Sequence, residues 1–550
     1  MHPTARVATT PDQPRPTDQG WLPVRAFGAA RLRWHGQSEL FRGVVAYLAL
    51  AIALGAWLVP IALGRLIDGD EGYLLMAARL VSEGRWPYRD FFLPQTPLVP
   101  ALFGALFWAT GRSWLGARLL AGLVAVATGL LVFHEVLSTT RRRSAALFAT
   151  TLFVLSDGAI GWLTIVKGFG LAALWMTAAI VFVGSAVRSA KNHETGRRAT
   201  AAAMAAGLLI GLAASTRLYA IAVVPTLAAY LVRELGVGRR SLRRVGAYAL
   251  GCLAGLLPLF VCYAAARESF VFDTILYHGI REYGQDSLFG TAHEKLPIVL
   301  KTMGFASEAT FGERQWMSLA ILAVLARLLR PCGPRTYSAA AWVWPILLAA
   351  SVLPNPFLPQ YLCLPLPFLA AEAGRLLDSL LNLSLRQRVR RWPAALAAVA
   401  VVYLGYNAWV AHYERNRYLF SGIGVPGIES SQRVARWQIP TVEAVAREID
   451  AQHLPLAASW WPGYLVSART PIVTELANDF GFRAASVLST EERRRIHVVS
   501  HAEVGEMIRR RQPRLFVEGN WATYPWASRL PENGYRIRRT IENVRLWTAE

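Results

Sequence analysis

Asp68-Gly-Asp70-Glu71-Gly-Tyr73 sets three carboxylates side by side, directly after the first long apolar run of a chain that is otherwise sparing with acid. Grouped carboxylates can take a proton from a hydroxyl, orient a polar substrate or hold a cation. A purely local reading also exists: an Asp placed just ahead of an apolar-periodic segment caps a helix by accepting from the free amides of its first turn, and Asp70 fits that role. Further along, His278, Glu282, Asp286, His293 and Glu294 are ligand-type residues in one loop. Their spacing matches no metal motif, and a solvated loop of mixed charge accounts for them. Cys252, Cys262, Cys332 and Cys363 lie in or beside apolar runs, without disulfide-framework or zinc spacing.

The elements that must position the acids follow from composition. Hydrophobic residues make up 54% of the 550 and charged residues 17%, too apolar for a set of soluble domains and typical of a polytopic membrane protein. A formal charge of +22 could suggest nucleic acid, but the cations are confined to short connections: Arg141 to Arg143, Arg188 to Arg198, Arg233 to Arg244, Arg327 to Arg335 and Arg375 to Arg391. The intervening loops, such as Pro354 to Pro359, are nearly free of them. This alternation is the positive-inside pattern, and no nucleic-acid partner is expected. Apolar runs long enough to cross a bilayer fall roughly at 44–64, 116–138, 144–158, 163–187, 199–215, 219–233, 246–266, 315–330, 337–353, 360–376 and 393–411, about eleven in all. Pro97 to Thr110 is left out, because counting it would invert every later loop; it reads as an interfacial, re-entrant or buried segment.

Three regions result: a disordered inner arm over 1–43, a membrane domain over 44–411, and an outer soluble α/β domain over 412–550. The loop over 65–115 faces outward, with Tyr73, Ala77, Leu80 and Val81 on one helical face and a stop at Gly84. Trp86, Tyr88, Phe91 and Phe92 suit an interfacial belt. The loop over 267–314 is a natural lid. In the tail, Thr441 to Ala451 reads as a helix and Glu491 to Arg511 as containing another. LPLAASW, RTPIVTEL, PRLFVEG and YRIRRTIENVRLWT read as strands.

The stretch DEGYLLMAARLVSEGRWPYRDFFLPQTPLVPALFGALFWATGRSWLGARLLAGL resembles the amino-terminal signature of the GT-C membrane glycosyltransferases, especially the aminoarabinose transferase and protein O-mannosyltransferase type. FLPQYLCLPLPFLA is similar to an aromatic-plus-proline motif of that superfamily, and GLLIGLAASTR is a weaker match. The fold class implied is a GT-C-like bundle of about eleven transmembrane helices, with juxtamembrane helices in the first outer loop and a C-terminal outer α/β domain. The activity implied is transfer of a sugar, with inversion, from a polyprenyl-phosphate donor to a glycan, lipid or protein acceptor at the outer face of a cell membrane.

By position, the resemblance makes Asp70 the general base and Glu71 a neighbouring acid that orients the acceptor or, with Asp70, holds a divalent ion. Arg118, Arg217 and Tyr361 fall to the donor phosphate, with Gln360 and Tyr88 as further substrate contacts. Interfacial snorkelling is the alternative for the arginines, and an aromatic belt for Tyr361. Lys167 departs from the pattern, since a second acid is expected near its place. Either Asp157 substitutes, or Lys167 faces the donor phosphate, or the two-acid arrangement is absent. Two other classes stay open. A lipid-linked glycan flippase should show internal repeats or helices broken at mid-bilayer, and a noncatalytic envelope assembly protein would tolerate loss of Asp70.

Overall fold

A computed structural model describes residues 22–192, 196–280, 292–329, 338–354, 357–386, 392–420, 438–519, 526 and 528–549. The chain forms two compact units, Met1–Ala53 and Leu54–Glu550. The helices are α1 (Leu22–Gly64), α2 (Gly69–Ser82), α3 (Leu98–Thr110), α4 (Trp114–Thr140), α5 (Arg143–Val154), α6 (Gly168–Lys191), α7 (Gly196–Thr216), α8 (Val223–Leu235) and α9 (Arg239–Gly255). They continue with α10 (Leu257–Ala265), α11 (Arg267–Val271), α12 (Tyr277–Ile280), α13 (Ala292–Thr302), α14 (Phe311–Leu328), α15 (Ala339–Val352), α16 (Leu366–Arg386), α17 (Trp392–Phe420) and α18 (Gln438–Ala451).

Every apolar run expected to cross the membrane is occupied by a helix or a helix pair. Among the described residues, six helices are long and apolar enough to span, or seven when α9 and α10, bent by 44°, count as one. The remaining four runs correspond to α5, α14, α15 and α16, which are short or carry charge. α1 begins at Leu22, so the second half of the expected disordered arm is helical, and residues 1–21 lie outside the described residues. α17 runs nine residues past the expected end, to Phe420, because its last turns pack Glu414 and Tyr418 inward. α3 has 13 residues, about 20 Å at helical rise, and falls short of the roughly 30 Å of hydrocarbon. It lies against α2, where a side chain on Gly104 would meet the Ala78 carbonyl at 2.9 Å.

Glycine spacing sets the closest helix crossing. Gly207 and Gly211 on α7 face Gly251 and Gly255 on α9, and an added Cβ would lie 1.9 Å from the Tyr248 carbonyl at Gly207 and 2.1 Å from the Met204 carbonyl at Gly251. This is the small-xxx-small packing that lets two backbones touch. Ser215 closes the crossing by donating to the Gly255 carbonyl at 2.8 Å, and Arg217 follows two residues on, just past the end of α7.

The tail contains a four-stranded sheet of β1 (Ala457–Ser459), β2 (Leu515–Glu518), β3 (Tyr535–Ile541) and β4 (Val544–Ala549), in the order β1-β2-β4-β3. β1 and β2 are parallel, and the other pairs are antiparallel. RTPIVTEL is not a strand as expected. It makes one isolated bridge, Ile472 to Ala457, because Pro471 has no N–H to give and the chain turns into a 3-10 helix at Thr474–Leu476. The tail is also not packed separately. Tyr73, Leu74, Phe103 and Trp114 from the first loop share one core with Val442, Trp461, Leu515 and Phe516. Trp461 stacks on Trp114 at 5.9 Å and donates to the Gly69 carbonyl at 3.0 Å. Arg79, 1% exposed, donates to the carbonyls of Leu465 and Thr470 at 2.5 and 2.8 Å.

That sharing overturns the interfacial belt. Tyr88, Phe91 and Phe92 are buried in protein, and only Trp86 is exposed. Tyr88 sits edge-on to Phe270 at 5.0 Å and donates to the Gln95 carbonyl at 2.6 Å, while Phe92 meets Tyr277 at 5.3 Å. Within the expected lid, Phe270, Asp273 and Tyr277 therefore rest on the first loop; Glu282 and Asp286 lie outside the described residues.

Replacing Gly251 by Val should force α7 and α9 apart and lower stability by about 1–3 kcal/mol. Thermal unfolding in detergent reads this directly, and an unchanged midpoint would show that the crossing is looser than described.

Candidate active site

Asp68, not Asp70, caps α2. Its carboxylate accepts from the Asp70 amide at 3.0 Å, and Glu71 reaches back to the Asp68 amide at 2.9 Å, forming a capping box. This releases Asp70 from the capping role. The Asp70 side chain is 27% exposed at the helix end and pairs with Lys167 Nζ at 2.9 Å. The same ammonium pairs with Asp68 at 2.8 Å and lies 4.9 Å from the centre of the Trp162 ring. Lys167, 2% exposed, is thus the cation between two carboxylates. Burial alone would lower its pKa, but Asp70 and Asp68 outweigh burial and raise it. Burial likewise works against the Asp68 carboxylate, and Lys167 followed by Arg65 overrides it, holding its pKa below the usual range.

Glu71 and Arg118 are fully buried. Arg118 Nε and Nη2 donate to the two Glu71 oxygens at 2.6 and 2.5 Å. The remaining acceptor capacity of Glu71 goes to the backbone amides of Val166 and Asp68, both at 2.9 Å. Arg118 also donates to the carbonyls of Ala62 at 2.7 Å and of Arg65 and Leu66 at 3.3 Å. Neither group faces open space. The geometry leaves no Glu71 oxygen for an acceptor or a metal and no Arg118 donor for a phosphate, so both expectations give way to a bolt joining the end of α1, the start of α2, α4 and the segment before Lys167.

Arg217 differs. Its guanidinium lies 4.1 Å over the Phe169 ring, and its buried Nε has no hydrogen-bond partner among the described residues. It presses on the Lys167–Gly168 turn, where a Gly168 side chain would sit 2.9 Å from that nitrogen. Tyr361 packs on Phe169 at 6.1 Å and on Tyr219 at 6.3 Å, and the Tyr219 hydroxyl is likewise unpartnered among the described residues. Gln360 is half-buried in the same turn, Pro359–Cys363. Asp70, Lys167, Arg217 and Tyr361 therefore fall along one edge, beside two partly open carboxylates, of which Asp70 is the more exposed and the one free of the cap. Tyr88 is not part of it, since its hydroxyl is committed to Gln95.

Asp157 stands in a separate, half-buried group. It adjoins Tyr418 and Arg417, and its amide donates to Gln315 at 2.9 Å; Glu414 nearby accepts from the Gly312 amide at 3.3 Å. Arg65 links the two groups, lying 4.4 Å from the Tyr418 ring centre and 5.2 Å from that of Trp162. Arg65 was invisible as a functional residue because it reads as a helix-end cation. Asp273 likewise carries no local sequence signal. It is fully buried in the π-helical turn Phe272–Leu276, where one oxygen accepts from the Leu93 amide at 2.8 Å and the other has no partner among the described residues. Burial pushes its pKa well above the carboxylate range, against the smaller effect of the Leu93 bond.

Among the described residues, no group of three or more His, Cys, Asp or Glu is placed to hold a metal ion. The one place where Asp68 and Asp70 converge is taken by the Lys167 ammonium, so a divalent ion does not fit the donors present.

No family model matches the chain, and no curated protein matches its sequence. Solved structures do match, and the chain shares their fold. ArnT from Cupriavidus metallidurans bound to undecaprenyl phosphate superimposes with a TM-score of 0.60 at 16% identity, over 92% of this chain and 97% of that one. Its apo form gives 0.60 at 17% identity, over 92% and 98%. The oligosaccharyltransferase AglB from Archaeoglobus fulgidus, in complex with an inhibitory peptide and a dolichol-phosphate, gives 0.50 at 14% identity, over 92% and 74%.

Removing one member of the buried pair, by Glu71→Gln or Arg118→Met, should cost about 3–5 kcal/mol, read as a large fall in unfolding temperature. Exchanging both for apolar residues should cost less than either single change.

Asp273 gives a pH dependence of defined sign. A carboxyl whose native pKa exceeds its unfolded value of about 3.9 binds its proton more tightly when folded, so its contribution falls as pH rises from about 4 toward the raised native value. Asp273→Asn keeps the acceptor for Leu93 and removes the ionisation. The variant should gain stability relative to wild type between about pH 5 and pH 8, measured by thermal unfolding; parallel curves would refute the assignment.

Proposed function

We propose that this protein is a membrane glycosyltransferase that takes a sugar from a polyprenyl-phosphate donor and passes it to an acceptor hydroxyl at the membrane surface. The observation that carries the reading is the edge on which partly open Asp70 meets Lys167, with Arg217 pressed against the same turn. Support comes from the shared fold and from two neighbours whose structures hold undecaprenyl phosphate and dolichol-phosphate.

In this reading Asp70 accepts the proton of the acceptor hydroxyl as that oxygen bonds to the anomeric carbon. The bond from that carbon to the phosphate oxygen breaks on the opposite side, and its electron pair leaves with the polyprenyl phosphate. The sugar is inverted. Lys167 and Arg217 supply positive charge where the phosphate develops negative charge, the role for which preorganised cations are most effective. Tyr361, Tyr219 and Gln360 flank the donor. Glu71 and Arg118 act as positioning residues through α2 and the Val166–Lys167 backbone. The site faces outward, as the arginine-rich connections on the other side suggest, and the α/β tail that covers α2 borders the acceptor's approach.

Asp70→Asn should lower transfer from a polyprenyl-phosphate sugar by roughly 10²–10⁴-fold, the range for loss of a general base, while detergent-purified protein keeps its unfolding temperature. Transfer of radiolabelled sugar into the lipid or glycan fraction measures it. Wild-type turnover in the variant would remove Asp70 from the mechanism.

A further inference from the structure

At the other end of the bundle lies a cavity of about 870 Å³ among α4, the turn after it, α6, α8, α15 and α16. α4 has 27 residues, about 40 Å at helical rise, more than the roughly 30 Å of a bilayer's hydrocarbon. Since Arg118 near its start belongs to the site above and Arg141 at its end lines the cavity, the two open at opposite membrane surfaces.

The cavity floor is a buried charge network. Arg375 lies between Glu135 and Glu372, and Ser338 donates to Glu372 at 2.7 Å. Arg142 is held at the wall by Asp378 at 2.8 Å and Asn382 at 2.7 Å. Arg141 and Arg188 remain. They lie within electrostatic reach of each other, both line the space, and neither side chain has an ion-pair partner among the described residues. Arg188 is half-buried on a membrane-spanning helix, where a charge is costly, and Glu135, its nearest opposite charge, is already bound to Arg375. Below them the buried Arg375 Nε also lacks an acceptor among the described residues. Two guanidinium groups lining one cavity, with the unmatched Arg375 donor and an unmatched Glu135 oxygen in its charge network, leave more donor than acceptor capacity, which an anion with several acceptor oxygens would meet. Phosphate matches the planar fork of Arg in geometry and charge.

We propose that this cavity is a second anion site, which binds a phosphate group between Arg141 and Arg188 at the membrane surface opposite the transfer site. Basic pockets between membrane helices take phospholipid headgroups, so an anionic lipid of that leaflet is one source and free phosphate the other.

The test uses the full chain purified in detergent, as wild type and as the double variant Arg141→Gln/Arg188→Gln, with Arg239→Gln/Arg240→Gln, on the exposed start of α9, as the charge-matched control. Each is titrated with phosphatidylglycerol, phosphatidylcholine or inorganic phosphate, following unfolding temperature and the bound adduct in native mass spectrometry. Phosphatidylglycerol occupancy at least about fivefold lower in the double variant than in the control, with phosphatidylcholine indifferent, supports the site and assigns a lipid. The same contrast with inorganic phosphate alone supports it and assigns a soluble source. Equal occupancy in the double variant and the control, for both phosphate ligands, overturns the proposal, as does occupancy that falls equally in both.

Discussion

Glu71 and Arg118 neutralise each other where water does not reach, and most of the surrounding architecture is a consequence of keeping that pair satisfied. A buried guanidinium and carboxylate are tolerable only when nearly every donor and acceptor is matched. Here the matching groups are the carbonyls at the end of α1, the cap of α2 and an amide of the segment before Lys167. The bond set therefore gathers three stretches of chain that no apolar contact would hold in so defined a register. Asp70 and Lys167 meet because the residues beside each, Glu71 and Val166, are held together by one hydrogen bond.

A division of labour among like residues follows. Three adjacent acids receive three environments: Asp68 closes a capping box and faces a cation, Glu71 is sealed in, and Asp70, the most open of the three, has no capping duty. The arginines divide likewise, Arg118 saturated with acceptors and Arg217 left with a nitrogen unmatched. Chemical competence in such a site is a matter of what remains unsatisfied after the structural groups have been paired.

How much of this was legible in the sequence depends on the range over which each signal acts. The helices could be read because apolar runs and arginine-bearing connections are local properties, and Asp70, Lys167 and Arg217 stood out for their type and place. The capping box was also local, since Asp68 precedes Glu71 by three positions, and the simpler cap at Asp70 obscured it. The roles of Glu71 and Arg118 were not legible, because their pairing crosses 47 positions and the Val166 bond crosses 95. Nor could periodicity show that Tyr88 and Phe91 would be covered by protein instead of lipid, since both surroundings favour the same residue types. RTPIVTEL has the composition of a strand, but Pro471 and the turn after it allow only one bridge.

The seal over α2 has a consequence for synthesis. Arg79 donates to Thr470 across 391 positions, so the apolar face of α2 is made long before the tail that covers it. At roughly 5–20 residues per second, the ribosome needs about 20–80 s to supply the missing surface. Throughout that interval, helix α2, with Tyr73, Leu74 and the buried guanidinium of Arg79, must wait without its cover at the membrane surface. The cover over α2 is therefore completed long after the bonds that aim Asp70, and a nascent chain halted within the membrane bundle would hold the acids in their frame but leave Arg79 and the apolar face beside them open.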